Sequence, residues 1–188
     1  FVVNGHIIDN IEAFDSSRRH RQPPQLFDNQ GDGRFVEISE TLDLPKELVG
    51  RGAIAADLDR DGDLDLVIAQ NEGPALVAEN LIGQDRPSLM VELESRESAP
   101  DGFGARLELV VGDRTLVREI RSSSSYLSQG PPVAHFGLGE ATVADELAVH
   151  WPSGRVDRHE KLEAGFLYTF GEGSAERRVR AFERPSER

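Results

Sequence analysis

The chain has 188 residues, no cysteine and a formal net charge of −13, with 34 acidic against 21 basic side chains. That length supports one or two small domains with a real hydrophobic core, and the lack of cysteine excludes disulfides, thiolate metal sites and a thiol nucleophile. A field of that sign opposes nucleic acid and anionic membranes while attracting divalent cations, and no apolar run approaches the roughly 20 residues of a membrane span.

Plentiful glycine (18) and proline (10), without any long helical pattern, point to an all-β, turn-rich chain. Residues Phe1 to Val3 read as the end of a strand, closed by Asn4-Gly5. His6 to Gln25, including "SSRRHRQPP", reads as a long polar loop with a short helical turn around Ile8 to Phe14. Gln25 to Phe27 and Arg34 to Ile38 flank a glycine-rich turn and are expected to form a hairpin. After a connector at Thr41 to Gly50, "GAIAADLDRDGDLDLVIAQNEGPALVAEN" reads as strand, acidic loop, strand, turn, strand. Leu81 to Pro87 looks like a linker. Seven short runs follow: "SLMVELE", "ARLELVV", "RTLVREI", "VAHFGLG", "ELAVHW", "RVDRHE" and "FLYTF". Most alternate, and Gly112-Asp113 and "WPSGRV" supply hairpin turns, so a small antiparallel sandwich or barrel is expected. The mixed-charge stretch "GEGSAERRVRAFERPSER" reads as a mobile tail. The chain opens on Phe1 without a charged region followed by an apolar one, so either a signal has been removed or the sequence is a piece of something longer.

The stretch "DLDRDGDLD", Asp57 to Asp65, gathers five aspartates around one glycine. Calcium takes six to eight hard oxygen ligands. The spacing D-x-D-x-D-G-x-x-D offers them from Asp57, Asp59, Asp61, the carbonyl of Asp63, and Asp65, with Gly62 at the sharp turn. Magnesium fits less well, since it demands a tighter octahedron and keeps its waters. An EF-hand is excluded because its twelfth position, which must be a glutamate, is Ile68, and because the flanks read as strands. The plainer alternative is a solvated acidic turn. A bound calcium is expected to staple the loop rather than to signal or catalyse.

On these residues, "DLDRDGDLDLVIAQNEGPALVAEN" resembles the repeat of FG-GAP and VCBS propeller blades, and "LFDNQGDGRFVEIS" resembles the outer hairpin of such a blade. The stretch "DGFGARLELVVGDRTLVREIRSSSSYLSQGPPVAHFGLGEATVADELAVHWPSG" is similar to the ASPIC/UnbV domain. Its motifs lie at Gly102 to Ala105, Arg118-Glu119, Ser125 to Gln129, His135 to Gly139 and Trp151 to Gly154; "SSSS" at 122–125 and "GPP" at 130–132 depart from the pattern. The combination is that of the cartilage acidic protein family. The resemblance implies a partial β-propeller blade segment over 1–83, a small antiparallel β-sandwich over 84–171 and a charged C-terminal tail over 172–188. It also implies secretion or a bacterial cell-surface location, calcium (Ca2+) in the propeller loop, and a non-catalytic adhesive or interaction role. The partner would be a protein or glycan of the cell surface or matrix, or another copy of the chain. A propeller needs several blades and this chain holds at most one and a half, so it is expected to be the C-terminal portion of a longer protein.

Other candidates compete with plain structural roles. Tyr126 and Gln129 could form a recognition loop for a sugar or peptide, against a polar loop leading into Tyr126. His135 could be a ligand or base, against a satisfied structural histidine, and Trp151 could stack on a ligand, against packing at a sheet edge. Ser122 to Ser125 lack the G-x-S-x-G elbow of a hydrolase, so no catalytic residue is assigned. The run "RRHR" reads as solvated or paired within the chain, and "DNQGDGR" with Asp28, Asn29 and Asp32 as a hairpin turn. A subunit assembled by strand pairing between chains, and an enzyme or accessory factor of a biosynthetic pathway, are the alternative functions.

Overall fold

The structure, a computed structural model, describes residues 1–183. Among them there is no α-helix, only three short 3-10 turns, and the strands divide between two compact units. The first unit comprises Phe1–Ala56, Asp65–Glu79 and Ser123–Gln129; the second takes Asp57–Leu64, Asn80–Ser122 and the residues from Gly130 onward. Each unit therefore includes a segment from within the stretch of sequence that otherwise builds its neighbour. The boundary expected near residue 83 is thus not a single position on the chain.

In the first unit, strand β1 (Phe27–Asn29) pairs antiparallel with β2 (Phe35–Glu37), closing the expected hairpin. The helical turn expected within Ile8 to Phe14 is a 3-10 turn at Ile11–Ala13. Strands β3 (Gly50–Ala56), β4 (Asp65–Gln70) and β5 (Leu76–Ala78) form a three-stranded antiparallel sheet. Leu48, Val49 and Ile68 are the fully buried apolar side chains of this unit. Its long N-terminal loop is ordered by polar bonds. The Arg51 guanidinium donates to the carbonyls of Gly5 and Gly50 and to that of His6. The segment Ser123–Gln129 lies on β3, where the Ser128 hydroxyl accepts the Ala53 N–H at 3.1 Å and donates to the Tyr126 carbonyl at 2.8 Å. A Cβ at Gly52 would come within 2.8 Å of the Leu127 carbonyl, so glycine permits this approach.

The second unit holds β6 (Ser88–Glu94), β7 (Arg106–Val111), β8 (Arg114–Glu119), β9 (Val133–Gly137), β10 (Val143–His150), β11 (Val156–Glu163), β12 (Phe166–Gly171) and β13 (Arg177–Ala181). They form two four-stranded sheets, in the orders β11-β10-β7-β8 and β13-β12-β6-β9. Alternate residues of both sheets, such as Leu89, Val91 and Leu93 on β6, Leu107 and Leu109 on β7, Leu147 and Val149 on β10 and Phe170 on β12, share one core. The pairings are antiparallel except for β6 with β12, which run parallel. A parallel pair needs a long crossover, and here the chain passes through β7, β8, β9, β10 and β11 between the two partners.

One sequence expectation changes here. The segment expected as a mobile charged tail supplies β13, an edge strand paired with β12 from Phe166↔Ala181 to Phe170↔Arg177. Its arginines suit an edge, where charge discourages pairing with other chains. Glu172, in the turn before it, is 3% exposed and accepts the backbone N–H groups of Arg96, Glu97 and Ser98 at 2.8–2.9 Å, together with the hydroxyls of Ser98 and Ser153. Burial alone would raise its pKa; the hydrogen bonds from Ser153 and from the three N–H groups outweigh it and hold the carboxyl far below the usual range. One side chain thus ties the β6–β7 connection to the β10–β11 turn.

Because charge-assisted hydrogen bonds contribute about 1.5–3 kcal/mol each and orphaned donors add a further penalty, Glu172→Ala should cost at least about 3 kcal/mol in denaturant unfolding. The stabilisation from Glu172 is present above its unfolded value of 4.5 and is lost as pH falls from there toward the depressed folded value. Unfolding of the Glu172→Gln protein, followed by denaturant at several pH values, should accordingly depend less on pH below 4.5 than that of the parent.

Candidate functional site

The acidic segment Asp57–Leu64 connects β3 to β4 but belongs to the second unit. Its carboxylates shape the backbone around themselves. Asp57 accepts the N–H groups of Arg60 at 2.6 Å and Gly62 at 3.3 Å, Asp59 accepts that of Asp61 at 3.2 Å, and Asp61 that of Asp63 at 2.9 Å. Arg60 (φ 69°) and Gly62 (φ 95°) take left-handed conformations. A Cβ on Gly62 would overlap the ring of Phe182, so both backbone shape and space require glycine there.

This winding brings one carboxylate oxygen each from Asp57, Asp59 and Asp61 within 4.8 Å of one another. Asp59 is exposed, Asp57 half-buried and Asp61 only 5% exposed. Burial, with the neighbouring charges of Asp61 and Asp59 adding to it, pushes the Asp57 pKa up against the two N–H bonds that lower it. Three carboxylates held together in partly dry surroundings form a set of hard oxygen donors without nitrogen or sulfur, which suits calcium. Asp63 is buried next in sequence but is not one of the converging three, and Asp65 is buried as the first residue of β4, opposite Ala56.

The remaining candidates divide. Tyr126 is 75% exposed and Gln129 is exposed, both on the Ser123–Gln129 segment of the first unit. His135 lies on β9 of the second unit, its Nε2 3.1 Å from the Gly62 carbonyl. A carbonyl only accepts, so Nε2 carries the proton, and burial keeps the ring neutral by lowering its pKa. Trp151 is 4% exposed within the core and donates its Nε1–H to Asp157 at 2.8 Å, which corrects the expectation that it could stack on a ligand. The same Asp157 oxygen accepts the Gly173 N–H, so the indole helps to hold a turn.

Of the other histidines, His159 stacks on Phe170 with ring centroids 3.9 Å apart, and His150 faces Glu108. His20 is buried facing Glu72, and the His6 ring accepts the Ile8 N–H. Arg18 and Arg21 of the basic run pair with Asp15 and Glu72, as an internally neutralised loop would. In the "DNQGDGR" turn, Asp28 accepts from Gln30 and Asp32 pairs with Arg34, so these carboxylates serve the hairpin.

Sequence reading did not single out Ser88, Phe182 and Glu183, all of which touch the acidic loop. Ser88 donates its hydroxyl to the Gly62 carbonyl at 2.7 Å, and the Glu183 N–H reaches the Arg60 carbonyl at 2.6 Å. No spacing announces such bonds. The one available signal was the serine that opens the otherwise apolar "SLMVELE" run.

Residues 13–68 match the FG-GAP-like repeat, and residues 95–177 match the family described as ASPIC and UnbV. Human Cartilage acidic protein 1 is 32% identical over 154 residues, which is 80% of this chain and 23% of that protein. Its mouse counterpart is 32% identical over 151 residues, covering 78% and 23% of the two chains. The Xenopus tropicalis counterpart is 34% identical over 111 residues, covering 57% and 17%. The chain thus spans about a quarter of the length of the human and mouse relatives it matches. A solved structure from Bacteroides ovatus, described as that of a candidate cell adhesion protein, aligns over 97% of this chain and 73% of its own. It does so at 12% identity and a TM-score of 0.27, too distant a likeness to bear on fold or function. By its two matched domains and their order, the chain is an FG-GAP-like repeat followed by an ASPIC and UnbV domain, a homologue of Cartilage acidic protein 1.

Proposed function

We propose that the chain is a calcium-stabilised, non-catalytic interaction module of an extracellular adhesion protein. The observation that carries this reading is the convergence of Asp57, Asp59 and Asp61 on a loop whose turn requires Gly62. Calcium would supply the positive charge that lets these carboxylates stay ionised and close together. Asp57, Asp59 and Asp61 would hold it, while the N–H bonds to Asp57, Asp59 and Asp61 keep the loop wound around it.

The extracellular placement is supported by the homologues, whose name refers to cartilage, a tissue built largely of matrix. A binding rather than catalytic role is favoured by how the chemically capable side chains are used. The rings of Trp151, His135 and His159 are spent on internal contacts, whereas Tyr126 and Leu127 present exposed surface on a loop anchored through Ser128. Such an aromatic on a fixed loop suits recognition of a protein or glycan.

A ligand that binds only the folded state stabilises it by about 2.7 kcal/mol at a hundredfold excess over Kd. Thermal unfolding in calcium should therefore lie several degrees above unfolding in chelator, and superimposed curves would remove calcium from the account. The double variant Asp59→Asn, Asp61→Asn should lose this calcium-dependent difference while its melting in chelator stays at or above that of the parent, since two mutually repelling charges are gone.

A further inference from the structure

We infer that Phe182 and Glu183, together with Ser88 and His135, position the acidic loop for its cation, so that calcium binding and docking of the C-terminal segment form one coupled equilibrium. The inference rests on the calcium reading above and assigns residues that contribute no ligand oxygen to it.

The loop is held at two residues, Arg60 and Gly62, the same two whose N–H groups bond the Asp57 carboxylate. At Gly62, the carbonyl accepts from both the Ser88 hydroxyl and the His135 ring, and the Phe182 ring covers the Cα where any side chain would stand. At Arg60, the carbonyl accepts the Glu183 N–H and the guanidinium pairs with the Glu183 carboxylate at 3.1 Å. Arg60 and Gly62 flank Asp61, so fixing them fixes the path that sets Asp61 beside Asp57 and Asp59. Ser88 opens β6 and His135 sits on β9, two paired strands of the core sheet, which makes that side of the grip rigid.

The other side is not. Phe182 and Glu183 follow β13, an edge strand exposed along its whole length, and the Phe182 N–H is tied back to the Gly165 carbonyl at 2.9 Å. An edge segment of this kind opens with little cost compared with core strands. When it is undocked, the loop loses the Phe182 cover and the Glu183 bond, and its carboxylates are free to spread. A cation that needs them close therefore favours the docked segment, and by linkage the docked segment favours the cation to the same degree.

Calcium titration calorimetry on the full chain tests this. Phe182→Ala should weaken calcium affinity about tenfold, within the range usual for coupled sites. Ser88→Ala, which leaves the C-terminal segment intact, should weaken it about threefold through the lost hydrogen bond. The reciprocal readout is trypsin cleavage after Arg180: calcium should slow it in the parent protein and lose that effect in Phe182→Ala. Parental affinity in both variants, with cleavage equally calcium-sensitive in Phe182→Ala, overturns the coupling alone. Absence of any binding heat in the parent overturns the calcium reading and the coupling with it. Should Phe182→Ala fail to fold in chelator, the parent protein decides: cleavage after Arg180 that calcium does not slow overturns the coupling.

Discussion

Like charges crowded into a small, partly dry space set the terms for this chain. Asp57, Asp59 and Asp61 bring carboxylate oxygens within 4.8 Å of one another, and backbone N–H groups help to oppose the repulsion at that distance. The geometry that allows those bonds needs left-handed backbone at Arg60 and Gly62, and the space above Gly62 is filled by an aromatic ring. The grip of Ser88, His135 and Glu183 on the same residues follows from that demand, because a loop under internal repulsion holds one shape only when its backbone is fixed from outside.

The chain handles a buried negative charge in two contrasting ways. At Glu172, three N–H groups and two hydroxyls converge on a single carboxylate, and the protein satisfies it unaided. In the acidic loop, carboxylate oxygens of Asp57, Asp59 and Asp61 instead converge within 4.8 Å of one another. The pKa directions record the difference: Glu172 is held low by hydrogen bonds, and Asp57 is pushed high by burial and neighbouring charge. Glu172 therefore acts as a permanent brace, whereas on the calcium reading proposed above the loop would draw added stability from a bound cation.

Much of this was legible in the sequence, for identifiable reasons. The alternating runs became strands, Gly112 turned the β7–β8 hairpin, and the glycine at position 62 marked the turn of the acidic loop. Ile68, where an EF-hand needs glutamate, proved to be a fully buried strand residue. What escaped notice left no periodic trace. The parallel pairing of β6 with β12 shows the same side-chain alternation as an antiparallel one. Strand β13 is polar because it is an edge, so its pattern resembled a tail. Glu172, flanked by glycines, works through backbone donors more than seventy positions away, which no local spacing encodes.

The exchange of short segments between the two units bears on how such a chain can be inherited. Ser128, which satisfies the Ala53 N–H of the first unit, is encoded inside the stretch that builds the second. Gly62, which occupies the Ser88 and His135 donors of the second, is encoded inside the first. A gene rearrangement that separated the repeat from the domain after it would strip the buried Ser88 hydroxyl and the half-buried His135 and Ala53 donors of these partners, at a cost of up to about 1–3 kcal/mol for the buried one. In this chain a cut between the two matched regions is disfavoured by hydrogen bonding even where the sequence looks like a linker.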